Sequence, residues 1–333
     1  MHPLPCTDPL FWAKPNCIAR IHVLANAAHV KYSDRLLDID GILLLDKPLG
    51  LSSAGAVARV KRLFGARKAG HTGSLDPLAS GMLPICFGEA TKFGALLLDA
   101  DKTYRVTVRL GERTASADRE SEVLESRELP DFSAAQMQDA LKQFPREYAQ
   151  VPPMHSAIKQ DGRPLYEYAR AGITRERAAR AIVIRDILFL DWRPPDLTFD
   201  VRCSKGAYIR VLAEDLAAQL GTIAHLAGLR RLAVTPFSAE PQWTFEALEA
   251  MTAAQRLAVL LPVDAALADW RRLDLPPGGV SAFRQGQTIS IAPEIPGNVR
   301  IYAAGIGFLG LGAIEPAGRV VPVRLVSSAK SGI

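Results

Sequence analysis

The stretch that decides how this chain is read is Gly70-His71-Thr72-Gly73-Ser74-Leu75-Asp76-Pro77-Leu78-Ala79-Ser80-Gly81. It sets one carboxylate, Asp76, among glycines, small residues and apolar residues. Pro77 restricts Asp76 toward extended backbone angles and removes the next amide donor. Gly70, Gly73 and Gly81 permit close backbone approach or positive φ. A loop so constrained, holding a single acid, points to an aimed nucleophile rather than a solvated turn.

Outward from this loop, the chain alternates between helical and extended patterns. Upstream, Ile42-Leu43-Leu44-Leu45 predicts a buried strand, and Asp46-Lys47-Pro48-Leu49-Gly50 a turn. Ser52-Ser53 caps a helix through Val57, Val60 and Leu63. That helix and its exit are basic, with Arg59, Lys61, Arg62, Arg67 and Lys68 and no acid between Leu51 and Ser74. Downstream, a helix is expected over residues 90–98 and a half-buried strand over 103–110, where apolar and polar residues alternate. The polar run 113–127 reads as a loop, 132–144 as a helix, 165–171 as a short helix, and 181–192 and 197–203 as strands. Tyr208-Ile209-Arg210 leads into a helix ending near residue 220, extended structure resumes over 229–234, and a helix is expected over 244–260.

Composition changes at Pro276-Pro277-Gly278-Gly279. Beyond it, short strand-like runs separated by Gly and Pro predict a small β module of about 55 residues. The first 38 residues differ from the rest: Pro3, Pro5, Pro9 and Pro15 break any periodicity, and two of the four cysteines, Cys6 and Cys17, fall there. Residues 23–27 faintly resemble a signal-peptide cleavage region but lack a basic region at the true start, so secretion is not expected. A native start near Val23 or Val30 is an alternative reading of this extension.

The whole chain has 333 residues, 48% hydrophobic and 23% charged, which is ordinary globular composition. No apolar run approaches the ~18 residues of a membrane span. A net charge of +5 fits an anionic partner without requiring one. The cysteines form no CxxC pair and no zinc-site spacing with histidine. Free thiols suit a reducing cytoplasm, with Cys86 and Cys203 as small core hydrophobes.

Residues 70–92, GHTGSLDPLASGMLPICFGEATK, closely resemble the bacterial tRNA pseudouridine synthase B family. Further matching pieces follow in the family's order: GILLLDKP from Gly41, KTYRV from Lys102, PPMHSA from Pro152, CSKGAYIR from Cys203 and LRRL from Leu229. The resemblance implies an α+β fold: a mixed, mostly antiparallel central sheet over residues 39–271, then a PUA-like β domain over 272–327. It implies isomerisation of uridine-55 in the T loop of tRNA to pseudouridine, with no cofactor, no metal and a monomeric enzyme. By resemblance, Asp76 is the nucleophile, aimed at C1′ of the ribose or C6 of the base, and Arg210 is its partner. Tyr104 is the active-site tyrosine that stacks on the target base, and His71 fills the space of the flipped-out nucleotide. Leu229 and Tyr208 line the uracil pocket, and Lys47 and Pro48 buttress the site. The chain departs from the family at Ala207, at Thr114-Ala115-Ser116 and at His155, positions not expected to touch the Asp76–Arg210 pair.

Arg230, Arg231 and the basic helix are candidate phosphate contacts, which would make RNA binding salt-dependent. Two rival readings remain open. A carboxylate-nucleophile glycosidase needs a second acid, for which the loop offers only Glu89, in a turn that looks structural. A non-catalytic RNA-binding protein suits the basic helix and the β module but does not require Asp76.

Overall fold

Strand β1 (Gly41–Lys47) is buried on both faces because four aliphatic residues follow Gly41 without a polar break. Leu43 and Leu45 enter the main core, and Ile42 and Leu44 a smaller core on the opposite side. The computed structural model describes residues 36–292 and 295–327. The expected extension therefore lies outside the described residues as far as position 35, together with Cys6, Cys17 and both alternative starts.

Helix α1 (Ser53–Phe64) starts where the Ser52 hydroxyl accepts from the Gly55 amide and stops at left-handed Gly65. Strands β2 (Ala69–His71) and β3 (Ala79–Phe87) flank the Asp76 loop. The single helix expected over 90–98 divides into a 3-10 turn (Gly88–Lys92) and α2 (Gly94–Leu98). The division comes at Phe93, whose ring is buried against Leu267 and Leu311. Strand β4 (Lys102–Leu110) keeps the expected alternation. The polar run 113–127 is not a plain loop: β5 (Glu112–Thr114) pairs with β6 (Val123–Ser126). Thr114 and Asp118 are buried there, which composition alone disguised.

Helix α3 (Ala134–Gln143) begins at a reciprocal Ser133–Gln136 capping box. It is followed by β7 (Glu147–Gln150), the small ribbon β8 (Lys159–Gln160) and β9 (Arg163–Pro164), and α4 (Leu165–Arg170). Strands β10 (Arg180–Arg193) and β11 (Asp196–Cys203) pair antiparallel, and α5 (Ile209–Gln219) leads to β12 (Ala224–Val234). The helix expected over 244–260 is two, α6 (Phe245–Ala250) and α7 (Ala253–Ala258), because Thr252 and Gln255 build a second capping box inside it.

The central sheet runs β1-β3-β12-β4-β11-β10-β7, with β2 added on β3. Every pairing is antiparallel except β3 with β12. That one parallel pair positions the site: it places Arg231 opposite Gly81 on one side and Tyr104 on the other. The architecture is thus α+β with a mixed, mostly antiparallel sheet, as the resemblance implied.

The C-terminal strands β13 (Arg272–Asp274), β14 (Ile289–Ser290), β15 (Gly297–Ala303), β16 (Gly307–Glu315) and β17 (Arg319–Leu325) form a separate curled, PUA-like sheet. Helix α8 (Pro277–Arg284) starts at the compositional break, with proline in its first turn. Phe283, Val299, Ile301 and Val320 make its core. No helix among the described residues is long and apolar enough to cross a membrane.

Candidate active site

The Asp76 loop is shaped by its neighbours on both sides. The Ser53 hydroxyl, in the first turn of α1, accepts from the Leu75 amide at 2.7 Å and donates to the Leu75 carbonyl at 2.9 Å. The Ala79 amide closes the turn on the Asp76 carbonyl at 3.0 Å, and the Gly50 amide reaches the Pro77 carbonyl at 2.8 Å. Gly73 and Gly81 have φ of +104° and +100°. A Cβ on Gly81 would overlap the Arg231 carbonyl, so glycine is required there. Gly70 differs from expectation: it has an ordinary strand φ and open space around it.

Asp76 Oδ2 lies 3.0 Å from Arg210 Nη2; the Asp76 side chain is 45% exposed and that of Arg210 7%. The Asp76 carboxylate is thus held by a buried cation and still open to the solvent. Arg210, in the first turn of α5, donates to the carbonyls of His155 (2.7 Å) and Ser116 (3.3 Å). Behind it sits the buried Asp118, 3.8 Å from Nε. Asp118 Oδ1 accepts from the Ser116 hydroxyl at 2.5 Å and from the Glu120 amide at 3.0 Å. Two positions where the chain departs from the family, 116 and 155, therefore do touch Arg210. They do so through backbone carbonyls, which a side-chain change leaves in place.

The pair opens into a cleft of about 860 Å³ lined by His71, Asp76, Tyr104, Tyr208, Arg210 and Leu229, among others. Six of the eight expected site residues thus meet in one cavity. Lys47 and Pro48 do not line it. Lys47 is fully buried beneath, donating to the Pro48 carbonyl (2.9 Å) and the Leu51 carbonyl (2.6 Å), while Pro48 is exposed. Burial lowers the Lys47 ammonium to about 8, against the pull of Asp76 and Glu120. Burial also raises the Tyr104 phenol, with the Arg231 guanidinium opposing it through charge and a hydrogen bond. His71, half-buried, has an unpartnered buried Nδ1, and burial and then Arg231 lower its imidazole.

The expected phosphate contacts fare differently. Arg231 is 1% exposed and cannot reach a phosphate as it stands. Arg230 is engaged bidentately by Asp46 at 2.9 and 2.7 Å, and Arg59 by Glu249 with its guanidinium over Phe245. Glu89 is structural, as read: it pairs with Lys92 and accepts from the Ser327 amide. Cys86 and Cys203 are free and buried, their thiols pushed up to about 12 by burial. The residues that sequence reading missed are Asp118, Ser156, Tyr166 and Arg170. The first lay hidden in a polar run; the other three line the cleft from the segment around α4, whose position in space has no local signal.

Comparison with known proteins gives the family. The model for the TruB family pseudouridylate synthase N-terminal domain matches residues 61–209. Those for the tRNA pseudouridylate synthase B C-terminal domain and the pseudouridine synthase II TruB C-terminal region match 210–268 and 272–326. The tRNA pseudouridine synthase B of Burkholderia mallei (strain NCTC 10247) is 50% identical over 295 residues, covering 86% of this chain and 97% of the relative. That of Yersinia pestis (strain Pestoides F) is 47% identical over 302 residues, covering 87% and 93%. Among solved structures, a chain of a Cbf5-Nop10-Gar1 complex shares the fold, with TM-score 0.64 and 24% identity over 86% of this chain and 84% of that one. The chain belongs to the TruB family of pseudouridylate synthases.

Proposed function

We propose that this protein is a cytoplasmic, monomeric tRNA pseudouridine-55 synthase that acts on the T arm, with Asp76 as nucleophile on a flipped-out uridine. The observation that carries the reading is the half-open Asp76 carboxylate, held by Arg210 at the floor of a cleft that also presents Tyr104 and Leu229. The reaction breaks the C1′–N1 bond, turns the base and forms C1′–C5. N1 gains a proton and C5 loses one, so no net redox change occurs. A base inside folded RNA must leave its stack, at a few kcal/mol, to enter such a cleft. His71 stands on β2 at the cleft wall, where it fills the vacated place, and Tyr104 offers a ring for the extruded base. Tyr208 and Leu229 flank that base, and Lys47 with Pro48 supports the loop from below.

The test is tritium release from tRNA labelled with [5-³H]uridine. Wild type releases tritium; Asp76→Asn reduces the rate by more than about 10⁴-fold, as loss of a nucleophile does, while tRNA affinity stays within a few-fold. Turnover surviving that change would sink the nucleophile assignment. Free uracil as the product would favour a glycosidase.

A further inference from the structure

Arg231 is one of the largest fully buried side chains in the described residues, and it makes no ion pair there. A buried guanidinium with no counter-charge is costly, so its contacts should explain why it is kept. Its Nε donates to the Met82 carbonyl at 2.7 Å, its Nη2 to the Gly73 carbonyl at 3.1 Å, and its Nη1 to the Ser74 carbonyl at 3.5 Å. All three carbonyls belong to the segment that carries Asp76 or the strand that leaves it. On the other side, its backbone is the cross-strand partner of Tyr104, and its guanidinium faces the Tyr104 hydroxyl. Gly73 packs above it at φ +104°, where a Cβ would make ordinary contacts of 3.7 Å with Nη1 and 3.8 Å with Lys102 Cε.

We propose that Arg231 is a positioning residue of this site, a buried cation that ties the loop bearing Asp76 to the strand bearing Tyr104. Ser53 fixes the loop at Leu75 alone; Arg231 fixes it at Gly73 and Ser74 and at the same time sets the distance to β4. The cation also faces His71 and Lys102, so its charge is felt across the wall that would hold an extruded nucleotide. The inference rests on the reading of Asp76 as nucleophile and of Tyr104 as the residue that receives the base.

The experiment compares full-length Arg231→Lys, Arg231→Met and Asp76→Asn with wild type. It measures single-turnover tritium release at saturating tRNA, tRNA affinity by filter retention, the folded fraction by thermal unfolding, and the His71 ring titration by NMR. Misplacing reacting groups by an ångström costs about 100-fold. Arg231→Met should therefore lose about 100-fold in rate with affinity unchanged, and its His71 ring should titrate at higher pH than in wild type. Arg231→Lys, which keeps the charge and loses the fork, should recover roughly tenfold of that loss and leave the His71 titration near wild type. If Arg231→Met does not fold, the rate and affinity of Arg231→Lys decide alone. A folded variant turning over at the wild-type rate overturns the proposal. So does a rate loss that follows the folded fraction with affinity falling in step, because that describes a structural residue. If Asp76→Asn is inactive while both Arg231 variants are fully active, only this inference fails; if Asp76→Asn is active, the underlying reading fails with it.

Discussion

Lys47, Lys102, Arg210 and Arg231 are buried in the domain that carries Asp76, whereas no Lys, Arg, Asp or Glu is buried among the described residues of the C-terminal sheet from Arg272 onward. There, Arg272 meets Asp274 at 2.6 Å with both side chains more than half exposed, and the core is Phe283, Val299, Ile301 and Val320. Removing a cation from water costs several kcal/mol unless carbonyls or opposite charges replace the lost hydration. The catalytic domain meets that cost with backbone carbonyls: two for Lys47, three for Lys102, three for Arg231. Those of Arg231 lie on the Asp76 loop or its exit strand, those of Lys47 on the turn before α1, and those of Lys102 at the end of α2 and the turn after it. Charge is buried where it orders a loop that apolar packing could not aim. The C-terminal sheet has an apolar core, and its most buried cation, Arg300 on β15, ties the sheet to Asp264 and to the Trp270 and Ala268 carbonyls rather than to a loop near Asp76.

The contrast should break most severely at Arg210. Arg210→Met leaves Asp118 buried beside an apolar side chain and frees Asp76. Leaving the buried Asp118 without its cation costs about 3–5 kcal/mol of stability, and removing a preorganised charge beside the reacting group costs about 10²–10³ in rate, so single-turnover tritium release should fall by up to roughly 10³-fold. A folded variant within about tenfold of wild type would show that the cation is dispensable.

A smaller effect concerns pH. Burial lowers Lys102 from 10.5 to about 8, as it does Lys47. Between those limits the unfolded chain holds a proton that the folded chain has released, so this group makes stability rise with pH through that window. The difference in unfolding free energy between wild type and Lys102→Met should therefore grow from pH 8 to 10.5, by on the order of 2 kcal/mol. Cys86 acts in the opposite sense above pH 9 but cancels in the difference, whereas Cys203, which feels the Lys102 charge, cancels only in part. A flat difference curve would mean that the Lys102 ammonium is better compensated than its burial implies.

The smallest effect is expected in the other sheet. Arg272→Ala removes an exposed ion pair and a guanidinium stacked over the Tyr302 ring, and should lower the unfolding free energy by no more than about 1 kcal/mol. A clear loss of stability there would mean that the C-terminal sheet also depends on its charges.

Much of this molecule was legible along the chain. The strands at Gly41–Lys47 and Lys102–Leu110 follow from an apolar run and an alternation, and the Ser52 cap marks α1. The two helical expectations that failed did so where a tertiary demand or a second cap interrupted the pattern: the Phe93 ring turning into a core, and Thr252 starting a new helix. At the site, the spacing around Asp76 and the match to known motifs brought six of eight residues to one cleft. The same reading mistook Arg231 for a surface cation, because Leu229-Arg230-Arg231-Leu232 looks like a solvated basic patch. In the fold, Arg230 faces Asp46 and Arg231 turns under the loop.

The amino-acid order by itself determined that one acid stands in a constrained loop, that a basic helix precedes it, and that a small β module follows. Those are local facts, set by backbone sterics, periodicity and composition. Which charges face water, which carboxylate stands behind Arg210, and which cation holds the Asp76 loop were decided only when β12 inserted between β3 and β4. That insertion joins residues more than 100 positions apart, and burial, which sets the energy of a charge, is a property of the assembled sheet and not of the chain.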